Sequence, residues 1–353
     1  MTLYPEIERI TLAEGHEISR VIRGGWQLAG DHGPVDPAQV SLDLLAYYDA
    51  GITTLDCADI YTGVEAMIGD FRRHLANQRG ADAVARLKVH TKCVPDLALL
   101  PTLKPRDITA IVDRSLQRLD QDRLDLVQFH WWDYAQGNVI DAALALADLQ
   151  RAGKIRLIGG TNFDAAHLQA FADAGVKFAS MQVQYSLLDR RPAHAMATTA
   201  TALGTHYLCY GALAGGFLDE SWLGTPDPAG SISNRSRIKY RLIIDEYGGW
   251  DAFQALLATL NDIARRHQAR IAQVAARWVL MQPHVAAVIV GASHARHLPA
   301  TRAIAALALD AADMAAIDAV LQPGPQGEVY ALERDRHGPH GRIMKYDLGR
   351  APA

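Results

Sequence analysis

Apolar residues along the chain gather in short, β-branched-rich runs separated by segments with helical spacing. The runs are SRVIRGGWQL from Ser19, TTLDCAD from Thr53, KVHTKC from Lys88, LDLVQFH from Leu124, IRLIGGTN from Ile155, ASMQVQY from Ala179, HYLCYGA from His206 and AAVIVGA from Ala286. Between Thr53 and His206 their starts lie 24 to 36 residues apart, room for one helix each. Near-continuous apolarity is what strands covered on both faces require. The intervening segments predict helices. Pro105 suits a first helical position, and Ile108, Ile111, Val112, Ser115, Leu116 and Leu119 follow a 3.6-residue period. Ile271, Val274, Ala275, Trp278 and Val279 form another stripe, and Asp141 to Ala152 is stopped by Gly153.

Strands alternating with helices pair in parallel through right-handed crossovers. The pattern therefore predicts an α/β fold, a closed (β/α)8 TIM barrel of one domain, for which about 250 residues is typical. A stretch from Phe217 to Trp250, after the seventh strand, is rich in Gly, Ser, Pro and Asp and turns basic at Asn234 to Arg241. It reads as a long loop, and loops of that length are usually functional. The barrel is assigned to residues 1–322 and an irregular C-terminal tail to 323–353.

Composition narrows the function classes. Of 353 residues, 35 are Lys or Arg and 39 Asp or Glu, a formal net charge of −4, which argues against a nucleic acid or an anionic membrane as partner. Hydrophobic residues at 49% and charged residues at 21% suit a chain with a sizeable core. The three cysteines, Cys57, Cys93 and Cys209, lie in apolar runs and read as reduced, buried thiols. MTLYPEIERITLAEG has no apolar h-region, and no run approaches the ~18 apolar residues of a membrane span. The expectation is a soluble, cytoplasmic protein.

In such a barrel the active site lies at the C-terminal ends of the strands. The polar groups there are Asp56, Lys92, His130, Asn162 and Gln182, with Tyr61 in the loop just beyond Asp56. Singly, each has an ordinary structural explanation: an ion pair, a hydrogen-bonded core histidine, a turn amide. Their coincidence at successive strand ends points instead to one site. RDRHGPH brings His337 and His340 close but lacks acidic or Cys ligands at metal spacing, so it reads as an exposed tail with no metal.

These segments resemble the aldo-keto reductase family. GITTLDCADIYTG (Gly51 to Gly63) is similar to its first signature, VHTKC carries its lysine, LDLVQFHWWD its histidine, GGTNF its asparagine and MQVQYSLLDRR its glutamine. AQVAARWVLMQP is similar to the helix before its last strand, so the likeness runs from about Gly24 to Leu298. The resemblance implies transfer of hydride from nicotinamide C4 to an aldehyde or ketone, reversibly, with Tyr61 as general acid. It makes Asp56, Tyr61, Lys92 and His130 the catalytic set. A tyrosine with a reference pKa of about 10 is a poor acid at neutral pH, and the Lys92 ammonium is expected to favour its tyrosinate. Asp56 would hold Lys92, and His130 would orient the carbonyl.

The resemblance also assigns the cofactor site. Gly25, Trp26, Asn162, Gln182 and Tyr210 fall at its nicotinamide end, and Gly211, Leu213, Gly215 and Gly216 along the pyrophosphate. Gly291, Ser293 and His297 fall around the adenosine phosphate, where the family usually has Lys or Arg. Ala300 and Thr301 stand where Glu and Asn often bind adenine, and Arg296, Arg302 or the basic Asn234–Arg241 stretch are available to phosphate. NADPH is the implied cofactor, with NADH or dual use open. Trp26, Trp131 and Trp222 are expected to shape the substrate pocket. Two alternatives use the same residues: an aldolase forming a Schiff base on Lys92, and a non-catalytic cofactor-binding subunit resembling potassium-channel β-subunits. The partner is a small carbonyl or alcohol; the identity of that substrate and the oligomeric state are left open.

Overall fold

The computed structural model describes residues 6–29, 35–292 and 294–348. Two strands, β1 (Arg9–Ala13) and β2 (His16–Ser19), pair antiparallel as a hairpin turned at Gly15, which takes the left-handed φ of 67°. Eight more follow: β3 (Val21–Gly24), β4 (Thr54–Asp56), β5 (Lys88–Cys93), β6 (Leu124–Phe129), β7 (Ile155–Thr161), β8 (Ser180–Gln184), β9 (His206–Tyr210) and β10 (Val285–Gly291). They form one closed barrel in the order β10-β3-β4-β5-β6-β7-β8-β9, every neighbouring pair parallel. This is the (β/α)8 architecture that the spacing of apolar runs predicts.

The helices form for the reasons read from the sequence. Helix Pro105–Leu119 begins at its proline, Asp107 accepts a hydrogen bond from the Lys104 amide at 2.8 Å, and Ile108, Ile111, Val112, Ser115 and Leu119 are buried. Val139–Arg151 is capped by Asn138, whose Oδ1 accepts from the Ile140 amide at 3.1 Å. Ile271–Leu280 buries the stripe expected of it.

Three expectations are corrected. The first apolar run divides at Arg20: Ser19 ends β2, β3 starts at Val21, and Trp26–Leu28 is a 3-10 turn. The hairpin that precedes it plugs the N-terminal end of the barrel, where Leu12 and Ile18 pack with Ile22, Leu126 and Leu208. The Phe217–Trp250 segment is not one long loop, because Arg235–Tyr247 is a helix. Asn234 caps it, accepting from the Arg237 amide at 3.1 Å, and Tyr240, Ile243, Ile244 and Tyr247 bury a helical stripe hidden among the basic residues.

The chain beyond residue 322 also departs from an exposed tail. It carries two short helices, Ala331–Arg334 and Pro339–Arg342, and buries Val329, Tyr330, Glu333 and His340. Glu333 receives Arg191 through both terminal nitrogens at 3.2 Å, and Arg191 in turn grips Asp189 at 2.6 Å. His337 is exposed as expected, whereas His340 lies 3.5 Å from Glu246. The segment crosses the C-terminal mouth of the barrel.

Candidate functional site

Side chains alternate along a strand, so β5 sends His90 and Lys92 inward and β6 sends Leu126 and Gln128 inward, with His130 continuing the series. Register brings Lys92 opposite Gln128, and β4 ends on Asp56 beside them. Lys92 Nζ donates to Asp56 Oδ2 at 2.7 Å and to the Cys57 carbonyl at 2.8 Å. Asp56 Oδ1 accepts from Gln128 Nε2 at 3.0 Å and from Gln182 Nε2 at 2.7 Å. Both members of the ion pair are only 5% exposed.

The Lys92 ammonium lies 5.1 Å from the centre of the Tyr61 ring. Burial is the largest influence on Tyr61 and pushes its hydroxyl above the ordinary tyrosine range, with the Lys92 charge pulling the other way. The expected lowering by Lys92 is thus present but outweighed. Burial also acts most strongly on Lys92, yet Asp56 and Tyr61 together keep its ammonium above the usual lysine range. His130 Nδ1 lies 3.1 Å from the Thr161 carbonyl. A carbonyl oxygen only accepts, so the ring proton sits on Nδ1 and Nε2 carries a lone pair. Nε2 is buried without a partner, and burial draws the His130 pKa down to about 3.

Around these groups stand Trp26, edge-on to Tyr61 at 5.0 Å, and Trp132, edge-on to His130 at 4.4 Å. Trp131 does not face the pocket as expected. Alternation past the end of β6 turns it outward onto Phe129 at 5.8 Å, where its Nε1 donates to the Asp133 and Gln136 carbonyls. Trp222 also lies elsewhere, against Phe217 at 4.8 Å and Trp250 at 6.0 Å, donating to the Gly216 carbonyl.

Of the residues expected to hold a cofactor, Asn162, Gln182 and Tyr210 come together. Asn162 has a left-handed φ of 61°, its amide donates to the Gln182 carbonyl at 3.0 Å, and its Oδ1 accepts from the Tyr210 hydroxyl at 2.9 Å. Gln182 Nε2 is spent on Asp56 and, at 2.9 Å, on Gln128. Gly25 is dictated by packing, since a Cβ there would come 2.8 Å from the Asp56 carbonyl. Gly211 and Gly215 are filled by the Tyr240 ring; a Cβ on Gly216 would meet nothing within 4 Å. Leu213 is half-buried at the turn into Ala214–Gly216. Gly291 stands against the Gln27 amide, His297 Nε2 lies 3.2 Å from Arg296 Nε, and Ser293 lies outside the described residues. In the basic stretch, Arg241 is committed to Asp227 and Asp245, whereas Lys239 turns inward over Tyr210 at 4.9 Å.

Sequence reading missed Gln128, Trp132, Tyr330 and Arg334, and took Lys239 only as part of the basic Asn234–Arg241 stretch. Period-two alternation from His130 marks Gln128 and Trp132, and helical periodicity from Tyr240 marks the helix that carries Lys239. Tyr330, 5.7 Å edge-on to His130, and Arg334, donating to the Asn162 carbonyl at 2.9 Å, arrive on the tail with no local signal. Among the described residues no three His, Cys, Asp or Glu side chains gather as a metal site, and no helix is long and apolar enough to cross a membrane.

Known proteins resemble this chain in sequence and fold. The model of the aldo/keto reductase family matches residues 20–322. The chain is 27% identical over 300 residues to the NADH-specific methylglyoxal reductase of Escherichia coli, covering 78% of this chain and 86% of that protein. It is 29% identical over 255 residues to flagellar radial spoke protein 5 of Chlamydomonas reinhardtii, covering 63% of this chain but about half, 48%, of that protein. A crystal structure provisionally assigned to a 2,5-diketo-D-gluconic acid reductase B shares the fold, with a TM-score of 0.66 and 24% identity over 90% of this chain and 92% of that one. With a family match over most of its length and a closed barrel of eight parallel strands, the chain belongs to the aldo/keto reductase family of nicotinamide-dependent oxidoreductases.

Proposed function

We propose that this chain reduces a small aldehyde or ketone with a nicotinamide cofactor, Tyr61 giving the proton to the carbonyl oxygen. The observation that carries this reading is the buried Asp56–Lys92 pair set against the Tyr61 ring, at the barrel end where catalysis occurs in this architecture. The cofactor, when bound, supplies hydride to the carbonyl carbon. Tyr61, kept protonated by burial, supplies the proton, and Lys92 stabilises the phenolate it leaves. His130 Nε2 accepts rather than donates a hydrogen bond, so instead of orienting the carbonyl, as expected from the sequence, it orients a hydroxyl, that of Tyr61 or of the alcohol product, and stays neutral throughout. Trp26, Trp132 and Tyr330 exclude water around it.

Amide chemistry supports the nicotinamide end. A carboxamide needs one acceptor and one donor. Gln182, with its nitrogen spent, offers an oxygen; Asn162, with its oxygen spent on Tyr210, offers a nitrogen. At the phosphate end, Gly216 leaves room for close approach. The resemblance implies NADPH, but Gly291 and His297 bring no fixed charge to a 2′-phosphate, because burial and Arg296 hold His297 below the ordinary histidine range. The E. coli relative is named for NADH. The Lys92–Asp56 pair disfavours a Schiff base, since a paired ammonium is a poor nucleophile.

The test is a side-by-side titration with NADPH and NADH, then steady-state oxidation of the tighter one with methylglyoxal and benzaldehyde derivatives. Turnover is expected, with no borohydride-trapped adduct at Lys92. Tight cofactor binding without turnover on any carbonyl assigns a binding role instead.

A further inference from the structure

Two cations stand at the mouth of the site, and the proton transfer above uses neither. Lys239, from helix Arg235–Tyr247, is 15% exposed, and its nearest carboxylate, Glu333, is 4.0 Å away. That carboxylate already receives both terminal nitrogens of Arg191. Nζ makes no hydrogen bond among the described residues; it lies over the rings of Tyr210 at 4.9 Å, Tyr240 at 5.7 Å and Tyr330 at 5.8 Å. Burial draws the Lys239 ammonium below the ordinary lysine range, Glu333 opposing. A desolvated ammonium with open donors gains more from an added anion than one at the surface does.

Arg334 approaches the same ring from the tail. Its guanidinium is 5.7 Å from the centre of Tyr330 and 3.9 Å over Tyr134. One nitrogen donates to the Asn162 carbonyl, Nε is buried without a partner, and no carboxylate lies within 4 Å among the described residues. Asp164, on the same side as Tyr134, is taken up by His167 at 2.7 Å and by the helix it caps. Asp133 is taken up by Arg336 at 3.2 Å.

Asp189 and Glu333 balance Arg191 and Lys239, Asp56 balances Lys92, and Arg336 balances Asp133, whereas Arg334 shares its side of the site with Asp164 but has no carboxylate within 4 Å among the described residues. Both cations border Tyr330, the ring that walls His130. We infer that Lys239 and Arg334, which both border Tyr330, receive an anionic group there, and that the carbonyl substrate carries a carboxylate. This inference rests on the reductase reading above.

The experiment compares 4-carboxybenzaldehyde with methyl 4-formylbenzoate, which has the same ring and aldehyde but no charge. It uses wild type, Lys239→Met, Lys239→Arg and Arg334→Met, and measures cofactor Kd separately by protein fluorescence. Wild type is expected to favour the acid by about 10-fold or more in kcat/KM. At saturating cofactor, Lys239→Met and Arg334→Met bring the ratio of acid to ester kcat/KM within each variant down towards 1, chiefly through KM for the acid. Lys239→Arg retains the preference. Equal rates on the two aldehydes in wild type, or equal losses on both in the variants, overturn the subsite. A loss confined to cofactor Kd in Lys239→Met overturns it too and hands Lys239 to the cofactor. No turnover of either aldehyde by cofactor-loaded wild type removes the reductase reading itself.

Discussion

Lys92 and His90 stand two residues apart on β5, both facing into the barrel and both buried, yet they are held in opposite charge states. Burial acts on both in the same direction and is the largest single influence on each. His90 goes well below the ordinary histidine range because its neighbour is another histidine, His16, with the two Nε2 atoms 3.2 Å apart. Lys92 stays charged because Asp56 lies 2.7 Å away with its second oxygen filled by two amides. The barrel is thus a neutral plug at one end and a compensated ion pair at the other. Depth does not decide which group is ionised; the partner does.

The sharpest way to break the contrast is to remove one partner at each end. Lys92→Met leaves the Asp56 carboxylate buried against amides alone and should cost about 3–5 kcal/mol of stability. His90→Leu removes half of a neutral pair and should cost about 1–2 kcal/mol. Urea unfolding of the two variants gives both numbers. Equal costs would mean that the Lys92–Asp56 pair carries no special electrostatic weight.

The next effect is in the pH dependence of folding. His16 is drawn down to about 4 and His130 to about 3, from an unfolded value of about 6.5. Below pH 6.5 the unfolded chain binds protons that the folded chain refuses. Stability is therefore full above that pH and lost as pH falls, by about 1.4 kcal/mol per pH unit for each group down to its folded value. Lys92, raised, has the opposite sign: its contribution is present below the unfolded lysine value and lost as pH climbs through the folded one. Denaturation midpoints from pH 7 to 5 should fall steadily, and His16→Leu should flatten that fall. A flat wild-type profile would contradict neutral buried histidines.

The smallest effect expected is on the pH dependence of activity. In the proposed reaction Tyr61 must be protonated to give its proton; its pKa lies above the ordinary value, while His130 stays neutral. From pH 6 to 9, kcat should change less than about threefold. An acid limb centred near 6.5 would show that His130 titrates in the working site.

What could be read from the sequence divides along the same lines as the site. Asp56, Lys92 and His130 were legible because strand alternation and strand-end position are local rules, and the chain order of the strands is the order around the barrel. The same rule extended one step past β6 separates Trp132 from Trp131, and the alternation of ERITLAEGHEIS around Gly15 marks the β1–β2 hairpin. Tyr330 and Arg334 were not legible. Their placement depends on Glu333 reaching Arg191 across 142 residues, and a single long-range ion pair leaves no period in the sequence. Lys239 lies between: its helix was written in the Tyr240–Ile243–Ile244–Tyr247 spacing, but its direction depends on Gly211 and Gly215 admitting Tyr240.

The central claim is that the charged end of the barrel exists to serve the Tyr61 hydroxyl. Its most direct test is Tyr61→Phe, with cofactor Kd measured by fluorescence and the chemical step by single-turnover cofactor oxidation with an aldehyde. The expected result is an unchanged Kd, within about twofold, and a rate lower by about 100-fold or more. A rate near that of wild type, with cofactor still bound, would contradict it.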